Sequence, residues 1–365
     1  MINNIYSIMT FFCLFIFSSL LRVLASSDIQ LTDMSQRSVH LNGPVKRAVV
    51  IPIPVSSLLV SLDKGSDRLA GIHPFAKIAA EQGMLIKMFP AVASLPSDTV
   101  GHGFMPNIET LLSIQPDLVW QWGHLGNDIV DPIVQAGLSV AIISYPYQDD
   151  TQMQQWISLI GKSIGRELRA EEIIRWRQKV LRDVELQAAL RLDKHKPRVL
   201  YLSRFLSEIQ TISRTSHTNQ DIRRAGGVSI TEDFNGPRTI NQEQIIVWDP
   251  DIILIGNFET GVIPSDIYTS PALAEVTAVK NKRVYKIPNG GFIWDAPGQE
   301  TPLYWQWLTD VFYPNNIISS LKPKIVERYS FLYDYSLSQR ELNKILQSDA
   351  NKLSACYTEL FKDES

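Results

Sequence analysis

The chain has 365 residues, 45% of them hydrophobic and 20% charged, with a net charge of −3. That length and composition describe an ordinary globular protein of about two domains. They exclude a basic nucleic-acid binder and a polybasic membrane patch, and two cysteines exclude a disulfide-built scaffold.

Ile5 to Leu24 is mostly apolar, and Val23 and Ala25 place small residues at the −3 and −1 positions before Ser26. This pattern predicts a secretory signal peptide over 1–25, cleaved after Ala25, and a periplasmic address. An uncleaved membrane anchor is the alternative, because Met1 to Tyr6 carries no Lys or Arg. Cys13 lacks the small residue that precedes a lipidated cysteine. Cleavage leaves Cys356 alone, so no internal disulfide is expected.

Residues 26–45 are polar and read as a flexible lead-in. A first unit, 46–148, alternates short apolar strands with helices. Arg47–Pro54 is a strand, Ser56–Leu62 a helix capped by serine and ended by Gly65, and Arg68–Ile72 a strand leading to His73. Leu118–Trp122 is a strand ending at His124. Asp128–Ala136 is a helix, and Leu138–Ser144 a strand ending at Tyr145 and Tyr147. Ile86–Val100 has no clear pattern. Residues 149–195 are helical, and Glu171–Leu192 would form a rod about 33 Å long that can cross between units.

A second unit, 196–314, restarts the alternation with strand Arg198–Leu202 and loop residue Arg204. The helix over Asp221–Ala225 stops at Gly226 and Gly227. Strand Arg283–Ile287 precedes an exposed aromatic loop holding Phe292, Trp294 and Asp295. Residues 315–365 form a charged, amphipathic helical tail.

One phrase occurs twice. Asn107, Glu109, Pro116 and Asp117 recur as Asn241, Glu243, Pro250 and Asp251, all at an offset of 134, and each copy leads into an apolar strand. Each reads as a short helix, a proline stop, an Asp turn and a buried strand. Repetition at half-protein distance predicts two similar α/β lobes with mostly parallel sheets. Asp117 and Asp251 are expected to be turn residues.

No Gly-x-Ser-x-Gly, phosphate-cradling glycine loop, Gly-x-Gly-x-x-Gly or His-x-x-x-His pair occurs, and no arrangement for nucleophilic or acid–base catalysis is evident. An α/β enzyme remains the less favoured alternative. In parallel sheets, ligands bind beyond the strand C-termini. The candidate ligand residues there are His73, Trp122, His124, Tyr145 and Tyr147 from the first unit. The second unit offers Arg204, Arg238, Phe292, Trp294 and Asp295. Arginines suit an anionic chelate, and rings stack on flat catecholate or porphyrin faces. Each also has a plain structural reading, as core tryptophan, loop histidine or surface charge. Trp294 is the foremost candidate, because Gly290, Gly291 and Pro297 hold it in a loop.

Over about Arg47 to Pro314 the sequence resembles the substrate-binding proteins of ABC importers for iron–siderophore, haem and cobalamin. The twin phrases, Gly226 and Gly227, and the run Leu273–Pro288 carry the resemblance. It implies two Rossmann-like lobes bridged by a single long helix, the class III periplasmic binding protein fold. It also implies a non-enzymatic monomer without intrinsic cofactor, whose transported ligand is an iron–siderophore or haem. Cobalamin, a bare transition metal held by His73 and His124, or an oxyanion such as molybdate are the alternatives. The implied partner is an ABC permease dimer with its ATPase, met by Glu109 and Glu243. Spacing alone favours reading these glutamates as helix-capping carboxylates, and the resemblance reverses that preference.

Overall fold

The computed structural model describes residues 28–145, 150–191, 195–212, 214–316 and 320–361. The predicted signal segment, Tyr147 and Leu192 lie outside the described residues.

The first lobe is built on a four-stranded parallel sheet. Strands β3 (Ala48–Val50), β4 (Leu69–Ile72), β5 (Leu118–Trp122) and β6 (Val140–Ile143) lie in the order β4-β3-β5-β6. The second lobe repeats it with β7 (Arg198–Leu202), β9 (Val228–Ser229), β11 (Ile252–Ile255) and β12 (Val284–Lys286), in the order β9-β7-β11-β12. In both lobes the spatial order of the sheet strands is second, first, third, fourth. A short ribbon of β8 (Ile209–Thr211) and β10 (Arg238–Ile240) is inserted in the second lobe. Both sheets are covered on two faces, which explains their unbroken apolar strands. Val199 and Tyr201 of β7 join the large core shared with the first lobe. Leu200 and Leu202, on the opposite face, pack in a separate core with Ile245, Ile267 and Leu273.

The bridging helix runs Glu167–Ala189, 23 residues or about 34 Å. It starts four residues earlier than the periodicity predicts, and buries Ile173, Trp176, Val180 and Val184. Arg177 is fully buried on it and donates from Nε to Asp150 Oδ1 at 2.6 Å and from a terminal nitrogen to the Gly298 carbonyl at 2.9 Å.

Residues 28–45 differ from the irregular lead-in expected. Strands β1 (Ile29–Thr32) and β2 (Ser38–Leu41) form an antiparallel hairpin whose Leu31, Val39 and Leu41 are buried. Asp33 sets its turn by accepting the amides of Ser35 and Arg37, and its other oxygen accepts the Ile142 amide on β6. The hairpin thereby docks on the sheet edge. Gly65 does not end the helix Val55–Asp63. Lys64 does, in the left-handed region at φ 52°.

The tail is integral to the core. Helices Leu321–Tyr333, Gln339–Ile345 and Tyr357–Leu360 bury Ile325, Tyr329, Tyr333, Leu342, Ile345 and Tyr357. The tail grips both lobes. Lys344 Nζ donates to the Gly83 carbonyl in the first. Asn351 pairs with Lys286 through both the Lys286 amide and carbonyl in the second.

Candidate ligand-binding cleft

The repeated phrase folds as one device in two places. Asn107 accepts the Thr110 amide at 3.3 Å, and Asn241 accepts the Gln244 amide at 2.8 Å. Helices Ile108–Ile114 and Gln242–Trp248 then close on left-handed residues, Gln115 at φ 53° and Asp249 at φ 42°. Asp117 Oδ2 accepts the amides of Lys46 and Arg47 before β3, and Asp251 Oδ2 accepts the Arg198 amide before β7. The two aspartates are therefore turn residues that tie strand to strand. Glu109 and Glu243 are both exposed, one on each lobe, and Glu243 also accepts from its own capping Asn241 at 2.8 Å.

A second-first-third-fourth strand order puts a topological switch between the first and third strands, where a crevice opens beyond their C-termini. In the first lobe this edge carries a chain of rings. His73 lies 5.0 Å from Phe104, Phe104 is 6.3 Å from Trp122, Trp122 is 5.0 Å from His124 and 6.0 Å from Tyr145, and His124 is 6.1 Å from Tyr145. The structure thus brings together four of the predicted residues through Phe104. The sequence reading missed Phe104, although it directly follows the Gly101–Gly103 loop. Gly123 lets Trp122 and His124 follow one another here, because a Cβ on it would stand 2.4 Å from Ile142. Trp122 is buried, Tyr145 half-buried and His124 exposed.

His73 is buried as the N-cap of helix Pro74–Gln82, its Nδ1 accepting the Phe75 amide at 3.1 Å. The proton of the neutral ring therefore sits on Nε2. Burial pushes its pKa below the usual histidine value, opposed by the Gly103 carbonyl, and burial lowers His124 likewise. Burial thus favours the neutral form of both rings. Among the described residues, no group of three or more His, Cys, Asp or Glu side chains is placed to hold a metal ion.

The second lobe faces this wall. Burial, with Asp295 beside it, raises the Tyr201 pKa well above the usual tyrosine value, and Tyr145 of the opposite lobe is near enough to contribute. Asp295 accepts from the Tyr201 hydroxyl, the Asn257 amide and the Asn257 side chain at 2.8, 2.8 and 3.0 Å. Its hydrogen-bonding capacity is directed at the protein. Arg204 and Arg238 are exposed and sit on one ribbon, Arg204 bridged to Gln210 and Arg238 paired with Thr211. Arg238 lies over the Phe234 ring at 4.5 Å. Glu259 holds the loop after β7 by accepting the amides of Phe205, Leu206 and Ser207.

The loop predicted as exposed is buried. Trp294 is 1% exposed and donates its indole N–H to Glu300 Oε2 at 2.6 Å. Glu300 also accepts from the Gly291 amide and the Tyr329 and Tyr333 hydroxyls. Phe292 packs with Ala79 and Ile53 of the first lobe. This segment is the seam between lobes, held by the tail. Exposed apolar side chains lie instead at Phe75, in the first turn of helix Pro74–Gln82, at Leu125 in the first lobe, and at Leu206 and Phe258 in the second.

Two lobes of one topology, joined by one long helix, have the architecture of a solute-binding protein. The chain belongs to the periplasmic binding protein family, whose model matches residues 59–290. It is a class III substrate-binding protein of ABC importers, a transport protein and not an enzyme. It is 21% identical to the molybdate-binding protein MolA of Haemophilus influenzae, over 84% of this chain and 90% of that one. It is 24% identical to an Fe(3+)-citrate-binding protein of Bacillus subtilis, YfmC, over 71% and 78%. A periplasmic solute-binding protein from Veillonella parvula superposes with a TM-score of 0.82 at 28% identity, covering 92% of this chain and 100% of the other.

Proposed function

We propose that the chain, exported by a signal peptide at 1–25, captures an iron chelate, a siderophore complex or haem, between its lobes. It acts as a periplasmic monomer and delivers this cargo to an ABC permease dimer with its ATPase. The observation that carries the reading is the ring chain His73–Phe104–Trp122–His124–Tyr145 facing a lobe whose ribbon bears Arg204 and Arg238. Rings supply flat apolar area, and guanidinium groups meet propionate or carboxylate oxygens. The exposed apolar residues Phe75, Leu206 and Phe258 extend that area towards solvent. The permease contact is assigned to Glu109 and Glu243, one carboxylate per lobe, suited to a two-fold partner.

Similarity to a molybdate binder over most of the chain favours an oxyanion as the second reading. Tryptophan fluorescence of the purified chain, titrated with ferric citrate, a ferric catecholate, haem and molybdate, separates them. Saturable quenching by a chelate or haem, without response to free ferric ion, is expected. Saturation by molybdate alone would overturn the chelate reading.

A further inference from the structure

The twin helices share more than their caps. Positions 108–113 and 242–247 have the same burial sequence: half-buried, exposed, half-buried, buried, exposed, exposed. The buried position is Leu111 in one and Ile245 in the other, both fully covered. The next is Leu112, 48% exposed, and its equivalent at the offset of 134 is Ile246, 42% exposed. One half-exposed leucine on a surface is unremarkable. Two branched apolar side chains, at equivalent places on two lobes and each three residues after an exposed glutamate, are a duplicated patch. On a helix, residues three apart are neighbours on one face. Each lobe therefore presents a carboxylate beside an apolar side chain.

We infer that Leu112 and Ile246 are the apolar anchors of a docking surface for a partner with two equivalent halves. Each half would offer a basic side chain to the glutamate and an apolar pocket to the side chain beside it. This rests on the carrier reading above, and the occupant is the permease dimer. The twin arrangement argues for it, because a two-fold partner meets each lobe with the same surface. The division of labour follows from interface physics. Exposed charges steer encounter and weaken with salt, whereas desolvated apolar anchors set the dissociation rate.

The test measures binding of the full mature chain to its permease–ATPase complex in nanodiscs by biolayer interferometry at two salt concentrations. Leu112→Ala with Ile246→Ala is expected to raise the dissociation rate about tenfold while leaving the salt dependence unchanged. Glu109→Gln with Glu243→Gln is expected to slow association and flatten the salt dependence. Leu186→Ala with Leu190→Ala, exposed leucines at the C-terminal end of the bridging helix, is expected to change neither. Unaltered circular dichroism and haem-induced fluorescence show that the variants are folded. If the alanine pair binds as the wild type does while the glutamine pair fails, the apolar anchors are refuted and the carrier reading stands. If the wild-type chain does not bind the complex at all, both fall. Sedimentation showing a wild-type dimer that the alanine pair disperses would make a second copy the occupant and overturn the inference.

Discussion

Arg177 and Asp150 form a buried ion pair at 2.6 Å, with side-chain exposures of 0% and 4%. It joins the bridging helix to helix Asp150–Ser163 of the first lobe, and Arg177 reaches on to Gly298 in the seam. Trp305 of the second lobe lies under the guanidinium at 4.8 Å. One side chain thus fixes the rod against both lobes. Removing one partner strands a buried charge, so Arg177→Met is expected to cost ~3–5 kcal/mol in denaturant unfolding. Arg177→Met with Asp150→Leu should recover much of that loss, because no charge is then left buried. If the double variant is as unstable as the single, the pair is not the source of the effect.

The carboxylates predict opposite pH dependences. Burial tends to raise the Glu259 pKa, but the amides of Phe205, Leu206 and Ser207 hold it down at about 2. Glu341 is likewise held at about 2 by Lys87, Ser338 and Tyr335 against burial. Their contribution is present above the unfolded value near 4.5 and is lost as pH falls through 2. Asp310 behaves in reverse. Burial raises it to about 7 against Lys324 and Arg191, so its contribution is present below about 3.8 and is lost as pH rises through 7. Asp310→Asn is therefore expected to stabilise the chain at pH 8 and not at pH 4. Glu259→Gln is expected to flatten the acid limb of the unfolding profile. A uniform shift of either variant at every pH would contradict this.

How far these features were legible depends on where their partners lie in the chain. The twin phrases were legible because cap, stop and turn are local: Asn107 caps three residues away and Gln115 closes the same helix. The strands were legible because both faces of each sheet are covered and the apolar runs are unbroken. The seam was not. Gly290 and Gly291 read as marks of an open loop, yet a Cβ at Gly290 would meet Glu300 Oε2 at 2.0 Å and the Tyr329 hydroxyl at 2.2 Å. Those glycines permit close packing around a buried carboxylate whose tyrosine partners come 29 and 33 residues later. Lead-in strands β1 and β2 escaped because each has only four residues, although the alternation of Leu31, Val39 and Leu41 was present.

The ring chain should act on ligand and not on folding where its members are exposed. His124→Ala removes an exposed ring and is expected to weaken haem or ferric chelate binding about fivefold to tenfold, the worth of one stacking contact. Its unfolding midpoint should be unchanged. Trp122→Ala is expected to lose binding and also ~3–5 kcal/mol of stability, because Trp122 is buried against Phe104 and Trp156. Calorimetric titration with haem, alongside denaturant unfolding of each variant, checks both. Unchanged affinity in His124→Ala would remove that ring from the cleft wall.

The tail should behave as part of the second lobe's core. Asn351 gives the edge strand β12 what a further strand would give, accepting the Lys286 amide at 2.7 Å and donating to its carbonyl at 2.9 Å. Tyr357 covers Tyr285 and Trp307, accepting the Trp307 indole at 3.0 Å. Truncation before Ser338 uncovers these rings and frees the edge, and is expected to cost roughly 4 kcal/mol or more. By contrast, Lys87→Ala removes only a half-exposed lysine from the buried Glu341, which still accepts from Tyr335 and Ser338, and should cost about 1 kcal/mol. Denaturant unfolding separates the two. Equal, small effects would mean that the tail merely rests on the lobes. A large effect confined to the truncation would place the tail's stabilisation in its buried residues, Leu342, Ile345, Asn351 and Tyr357 among them, and not in its ion pair.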